Sequence, residues 1–366
     1  MTQFRMPAEW EKHEATLLAW PHHEEDWPGK FEPIPFVYGE IIRHLTGVER
    51  VRLLVQNSRS ERAARDCLKR VGVNLSKVDF TIIPTDRVWT RDSGPIFVRP
   101  SLSSSGLTRG SILKKMDSRL RGNDNERAML DWRFNAWAKY DNHKRDDNVP
   151  ARLSKFVKTQ RIQPMYKGKR VVLEGGSIDV NGKGTLLTTE ECLLSKVQCR
   201  NPGFTRADYE KIFAEYLGIK KVIWLGNGIT GDDTHGHVDD LARFVNPTTV
   251  VTVVEKNKRD KNYAPLQENL KRLKAARDQN GKKLNVIELP MPRPLIFEGT
   301  QLPASYANFY IANKLVLVPT FNDPADRIAL SILAKLFPGR DVVGIHAVDL
   351  VWGFGTIHCM SQQIPA

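Results

Sequence analysis

The stretch Leu68-Lys-Arg-Val-Gly-Val-Asn-Leu-Ser-Lys-Val-Asp-Phe-Thr-Ile-Ile-Pro-Thr-Asp86 reads as the end of a helix, a glycine-containing turn and a β-branched strand that runs into a polar loop. The same order of signals returns in FAEYLGIKKVIWLGNG (213–228), LKAARDQNGKKLNVIELPMP (273–292) and LAKLFPGRDVVGIHAVD (333–349). It returns more loosely in KFVKTQRIQPMYKGKRVVLEGGS (155–177). Strands are therefore expected to begin near residues 79, 171, 222, 285 and 342. Repetition of one supersecondary unit on this scale points to an α/β chain arranged radially or closed on itself. An ordinary open α/β sheet would show a similar alternation.

Working outward, residues 1–50 are rich in Trp, His and Pro and read as irregular loops leading into a helix near Phe36–Leu45. A strand, Val51–Val55, and a helix from about Ser60 to Arg70 follow. Residues 101 to about 130 break the pattern. They are Ser/Gly-rich, carry six Lys/Arg against three Asp/Glu, and lack a sustained apolar period, as expected of a surface insertion in a single domain spanning 1–366. A strand-like alternation resumes at Asp131–Trp137.

Composition narrows the class. The 366 residues are 41% hydrophobic and 27% charged, as in a soluble globular protein, and no apolar run is long enough to span a membrane. Charges interrupt the N-terminal segment where a signal peptide needs an apolar core. Cys67, Cys192, Cys199 and Cys359 are too sparse for a disulfide framework and show no paired metal-type spacing, so a reducing cytoplasm is expected. The net charge of +13 is scattered, and no nucleic-acid-binding motif accompanies it.

What lies beyond the strands carries the chemistry. Trp89-Thr-Arg-Asp92 follows the first, Glu174 heads Glu-Gly-Gly-Ser in the second, and Gly231-Asp-Asp-Thr-His-Gly-His-Val-Asp-Asp240 follows the third. Cys359 lies past the last. Loops at one end of the strands build the site in α/β assemblies, so these signatures should converge on one mouth. Gly226-Asn-Gly-Ile-Thr-Gly231 matches a dinucleotide fingerprint, but Asp232, Asp233, Asp239 and Asp240 follow and would repel a diphosphate. His235, His237 and Asp239 are suitable metal-ligand types yet crowded. Carboxylates from Asp92, Glu174 and this loop suit a planar guanidinium, which offers five N–H donors in a fixed fork; Trp89 could add an aromatic face. A lone thiol is most often a small buried hydrophobe. Beside such partners Cys359 becomes a nucleophile, with Gly353 and Gly355 letting a short β-prone run bring it close to a flat cation.

The motifs WTRDSGP, LEGGSIDVNGKGTLLTTEECLLS, GDDTHGHVDDLARFV, LPASYANFYIAN and GFGTIHCMSQQ together resemble the agmatine deiminases of the guanidine-modifying superfamily, over nearly the whole chain from MPAEWEKHEATLLAWP onward. The insertion at about 101–130 departs from that pattern. The resemblance implies a five-bladed pseudo-symmetric α/β propeller of ββαβ units. It implies hydrolysis of agmatine to N-carbamoylputrescine and ammonia, in putrescine formation or in arginine and agmatine breakdown. It also implies the roles. Cys359 would be the nucleophile and His237 the acid and base. Asp92 and Asp239 would hold the guanidinium nitrogens, Glu174 would hold the substrate and orient His237, and Trp89 and Asp233 would contact the substrate. No metal or cofactor, no nucleic acid and no membrane is implied, and a homo-oligomer is left open. His235 and His358 read as structural or tuning groups, and Cys67, Cys192 and Cys199 as structural. Peptidyl-arginine or another guanidine substrate would share the chemistry. A metal hydrolase, an amidinotransferase and a non-catalytic cation binder are further alternatives.

Overall fold

The computed structural model describes residues 4–101 and 127–366. In the opening unit, Asn57 caps the helix Ser58–Arg70 by accepting from the backbone N–H groups of Arg59 and Ser60. Gly72, at φ +74°, turns the chain in the left-handed region, and Val78–Ile82 then lies parallel to Arg50–Val55. The unit recurs as read. Lys221–Leu225 runs parallel to Thr185–Thr189, Asn285–Pro290 to Thr249–Val254, and Asp341–His346 to Leu315–Thr320. In each case a helix precedes the second strand: Arg206–Ile212, Tyr263–Ala275 and Ala325–Leu336.

The looser unit differs from expectation. Its helix Val149–Val157 ends at Lys158 in the left-handed region, and the strand follows at once as Gln160–Ile162, parallel to Ala128–Leu130. The segment near 171 holds only an isolated bridge between Arg133 and Val172. Its β-branched residues are instead core, behind a two-residue hairpin, Met165–Tyr166 with Lys169–Arg170.

Three other expectations are corrected. His13–Ala19, read as irregular, is a strand buried on both faces, which masks any alternation. It pairs with Arg50–Val55 on one side and with the C-terminal strand Gln362–Pro365 on the other. Most of the 101–130 insertion lies outside the described residues, but its last residues do not belong to a surface segment: Ala128–Leu130 is a buried strand antiparallel to Ile96–Pro100. Asp131–Trp137 is not a strand. It carries the chain to a turn, Ala136–Ala138, whose three residues all have positive φ.

Each sheet of parallel strands carries an antiparallel strand on one side, so the described residues form a mixed α/β fold with five sheets of three or four strands. Two two-stranded hairpins are added to these, and none of the sheets closes into a barrel. One sheet is completed by both chain ends, in the order Gln362–Pro365, His13–Ala19, Arg50–Val55, Val78–Ile82. No helix among the described residues is long and apolar enough to cross a membrane.

Candidate active site

Four short connecting segments carry the predicted residues. The helix Thr90–Ser93 carries Asp92; Thr90 Oγ1 donates to Met360 O at 2.7 Å, and Arg91 N donates to Cys359 O at 3.1 Å. This helix is thereby tied to the cysteine turn. The turn Gly175–Ser177 follows Glu174, and Gly176 N donates to Asp92 Oδ1 at 3.0 Å. A Cβ at Gly176 would sit 2.5 Å from His237 Nδ1, so only glycine admits this approach. In the acidic loop, Asp232 Oδ2 accepts from the N–H groups of Gly236 and His237 at 2.7 and 3.0 Å. His237 is thus set just before the turn Val238–Asp240. Cys359 lies in a turn rather than on the expected strand, after the 3₁₀ helix Leu350–Gly353. Gly353 and Gly355 are needed for close approach. Cβ atoms there would meet Trp27 at 2.7 Å and Trp89 at 2.9 Å, and the left-handed residue between them is Phe354.

Cys359, Asp92, Trp89 and Asp233 line one cavity of about 500 Å³. His237, Glu174 and Asp239 are fully buried beside it and do not line its wall. The His237 ring lies between two carboxylates, with Nδ1 3.9 Å from Asp92 Oδ2 and Nε2 4.0 Å from Glu174 Oε2. Among the described residues neither ring nitrogen has an oxygen or nitrogen hydrogen-bond partner, nor do Glu174 Oε2 and Asp239 Oδ1; the Cys192 thiol lies within 4.8 Å of the ring and of Glu174. Four unsatisfied buried polar atoms in one place are costly, and a hydrogen-bonding ligand would satisfy them. Asp239 Oδ2 lies 3.8 Å from Cys359 Sγ. Trp89 does two things: it packs against Trp27, centroids 5.5 Å apart, and faces the cavity. Asp233 is held at the cavity by Lys139 and by the Tyr140 hydroxyl at 2.8 Å. His235 turns to Ser195 at 3.0 Å, so His235, His237 and Asp239 do not converge as a metal-ligand set.

The electrostatics follow from burial among acids. Burial pushes Asp92 up to about 6, with Asp239 and Glu174 adding to the rise and His237 opposing it. Burial alone would lower His237, but Asp92, Cys192 and Asp239 outweigh it and hold the imidazole well above its ordinary value. Burial, then Asp239, Asp240 and Asp92, push the Cys359 thiol well above the usual range. Asp239 and Asp240 share one environment and separate. Burial would raise both, yet His358 brings Asp239 below its ordinary value, while Asp240 is driven well above it beside Asp239.

Several site residues carried no sequence signal of their own. Asn308 Nδ2 donates to Cys359 Sγ at 3.1 Å and to Asp240 Oδ1 at 2.9 Å. Its Oδ1 accepts from Thr356 Oγ1 at 2.7 Å and His358 N at 3.0 Å. Arg200 Nε donates to Glu174 Oε1 at 2.9 Å with both side chains fully buried, and Trp137 Nε1 donates to Asp92 Oδ2 at 2.9 Å. Asn308 stands inside LPASYANFYIAN, a motif recognised as a block without any role for its members. Trp137 is aimed by the positive-φ turn, which no local pattern announces.

The whole chain can be placed beside known proteins. The agmatine deiminase of Pseudomonas aeruginosa (strain LESB58) is 34% identical, the match covering 99% of this chain and 96% of that one. The solved agmatine deiminase of Enterococcus faecalis superposes with a TM-score of 0.84 at 30% identity, covering 100% of this chain and 98% of that chain. A cysteine-to-serine variant of the C. jejuni agmatine deiminase with substrate bound gives 0.82 at 29% identity, covering 99% and 96%. The model of the Porphyromonas-type peptidyl-arginine deiminases matches residues 5–365. With a buried thiol, an imidazole and three carboxyls gathered at one cavity, and this likeness running from end to end, the chain belongs to the Porphyromonas-type peptidyl-arginine deiminase family.

Proposed function

We propose that this protein is an agmatine deiminase that works through a covalent amidino-cysteine intermediate. The observation that carries the reading is the position of Cys359 beside Asp92 and Asp239, with His237 unpartnered behind them. Asp92 and Asp239 hold the guanidinium nitrogens, and Glu174, fixed by Arg200, helps hold the substrate and orients His237, whose Nε2 lies 4.0 Å from its free oxygen. The Cys359 thiolate attacks the central carbon and forms a tetrahedral adduct. His237 gives a proton to the departing ammonia, leaving an amidino-thioether. His237 then takes a proton from water as the water attacks that carbon. Collapse of the second adduct releases N-carbamoylputrescine and the thiol. Covalent catalysis divides one difficult displacement into two easier ones, and an imidazole suits both proton roles.

The cavity wall favours a substrate with a cationic tail. Glu25, Asp26, Asp141 and Asp233 line it, and its single basic residue among the described ones, Arg87, is paired with Asp26. An arginine α-carboxylate would find no free cation there. Agmatine, free arginine and a peptidyl-arginine should therefore be compared by ammonia release; agmatine should give by far the highest kcat/KM. Preference for peptidyl-arginine would overturn the substrate assignment. Cys359→Ser should abolish the ureido product, and retained turnover would overturn the chemistry. We further infer that the five sheets are the blades of a propeller, with the site where their loops meet. The four free cysteines suit a reducing, cytoplasmic setting.

A further inference from the structure

We propose that His358 and Glu9 are positioning residues of this site: His358 donates from both ring nitrogens, as a buried imidazolium, and so keeps Asp239 ionised and aimed beside the Cys359 sulfur. The inference rests on the deiminase reading for its consequence, though not for its geometry. His358 Nδ1 lies 2.6 Å from Asp239 Oδ2, and Nε2 lies 2.8 Å from Glu9 Oε2. All three side chains are buried, His358 at 2%, Glu9 at 6% and Asp239 at 0% exposure. An ionised carboxylate can only accept, so a ring with one at each nitrogen must donate at each.

Glu9 is not placed to supply the extra proton itself. Glu9 Oε2 accepts from Arg91 Nη2 at 3.2 Å. Its Oε1 accepts from Ile311 N at 2.8 Å and lies 3.0 Å from Arg243 Nη2. Burial alone would raise Glu9, but Arg243, His358 and Arg91 hold it well below the usual carboxylate range. The charges alternate inward from the N-terminal segment. Arg91 and Arg243 flank Glu9, His358 follows, and Asp239 ends the row 3.8 Å from the sulfur. Asp179 balances Arg243 at 3.0 Å.

The groups facing Asp239 explain why a cation is needed there. Asp240 and His237 come from its own loop, Asp92 from the helix Thr90–Ser93, Cys359 and His358 from the C-terminal turn, and Arg243 from the strand Ala242–Asn246. Without the imidazolium, Asp92 and Asp240 would favour protonation of Asp239, which would then lose its hold on a guanidinium. Because His358 precedes Cys359 in the chain, one turn positions both the nucleophile and the acid beside it.

The test pairs a spectroscopic readout with kinetics. In ¹⁵N-histidine-labelled protein, the His358 ring signals, assigned by their loss in His358→Asn, should both show protonated nitrogens at pH 7.5. A ring with one bare nitrogen overturns the proposal. His358→Asn keeps one amide donor but loses the cation and the link to Glu9. For agmatine its KM should rise about tenfold or more with a smaller fall in kcat, and the acid limb of kcat/KM should move up by about one pH unit. Glu9→Gln should move that limb in the same direction by less. Variants that melt like the parent with an unmoved acid limb overturn the proposal. Should His358→Asn fail to fold, Glu9→Gln and the parent's ring signals still decide it. The spectra need no substrate, so a parent protein that ignores agmatine would refute the functional reading and leave this measurement standing.

Discussion

At neutral pH the Cys359 thiol, walled by Asp239, Asp240 and Asp92, keeps its proton until positive charge arrives. The Asn308 amide donates to the sulfur, and a backbone hydrogen bond from Thr356 also opposes the rise. On the proposed chemistry, part of the activation would come from the substrate's own cation. Titrating thiolate absorbance with and without a non-hydrolysable cationic analogue should show a lower pKa in the complex; an unchanged value would refute substrate assistance. As long as His358 keeps Asp239 ionised, Asp92 sets the opposite limb. Its folded-state value, about 6, means that it takes up a proton as pH falls through 6 and ceases to attract a guanidinium. A profile of kcat/KM for agmatine against pH should fall on the acid side near that value. A limb near pH 4, the ordinary aspartate range, would show that Asp92 is not held among uncompensated acids.

The elements that carry the site are short turns, and their glycines are there for space. A methyl group at Gly355 would meet Trp89 at 2.9 Å and the Cys359 Cβ at 3.1 Å. At Gly176 it would meet His237 and Asp92. Overpacking of this kind costs about 1–3 kcal/mol, and a displacement of about 1 Å in a reacting group can cost about a hundredfold in rate. Gly355→Ala and Gly176→Ala should each lower kcat/KM by about that factor while the melting temperature falls modestly. Gly47, exposed in the helix Ile34–Val48 with nothing within 4 Å, is the matching control. Gly47→Ala should gain about 0.5–1 kcal/mol of stability and leave turnover alone. Equal loss of activity at all three positions would refute the steric account.

Over the whole molecule, the two chain ends close one sheet, and that closure carries residues 9 and 358–359 to the same place. The segment beginning at 102 enters elsewhere, between strands that are already paired: Val98 lies opposite Ala128. A short turn can join such neighbours. Excising residues 102–126 in favour of a two-residue turn should therefore preserve turnover and shift the melting temperature by only a few degrees. Loss of folding would show that the segment is integral to its sheet.

Local chemistry was legible from the residues alone. The helix–turn–strand repeat is a matter of propensity and periodicity. Trp89 to Asp92, Glu174, the acidic loop and Cys359 stand out because polar groups cluster where strands end. His13–Ala19 was not legible, since a strand buried on both faces loses its alternation. Nor was the early turn at Lys158, where a non-glycine residue takes the left-handed conformation. The partners that tune the site were hidden for a different reason. Glu9 and Asn308 stand in stretches that stood out only as blocks, and Arg200 and Trp137 in unremarkable surroundings, so none of the four carries a signal of its own. Glu9 reaches His358 across 349 positions of chain. Burial removes water from such pairs, and the charge of each group is then decided by whichever distant residues the fold places against it. The sequence by itself determined which chemistry was available; only the tertiary structure decided which acids are ionised, why the thiol keeps its proton, and what holds the nucleophile in place.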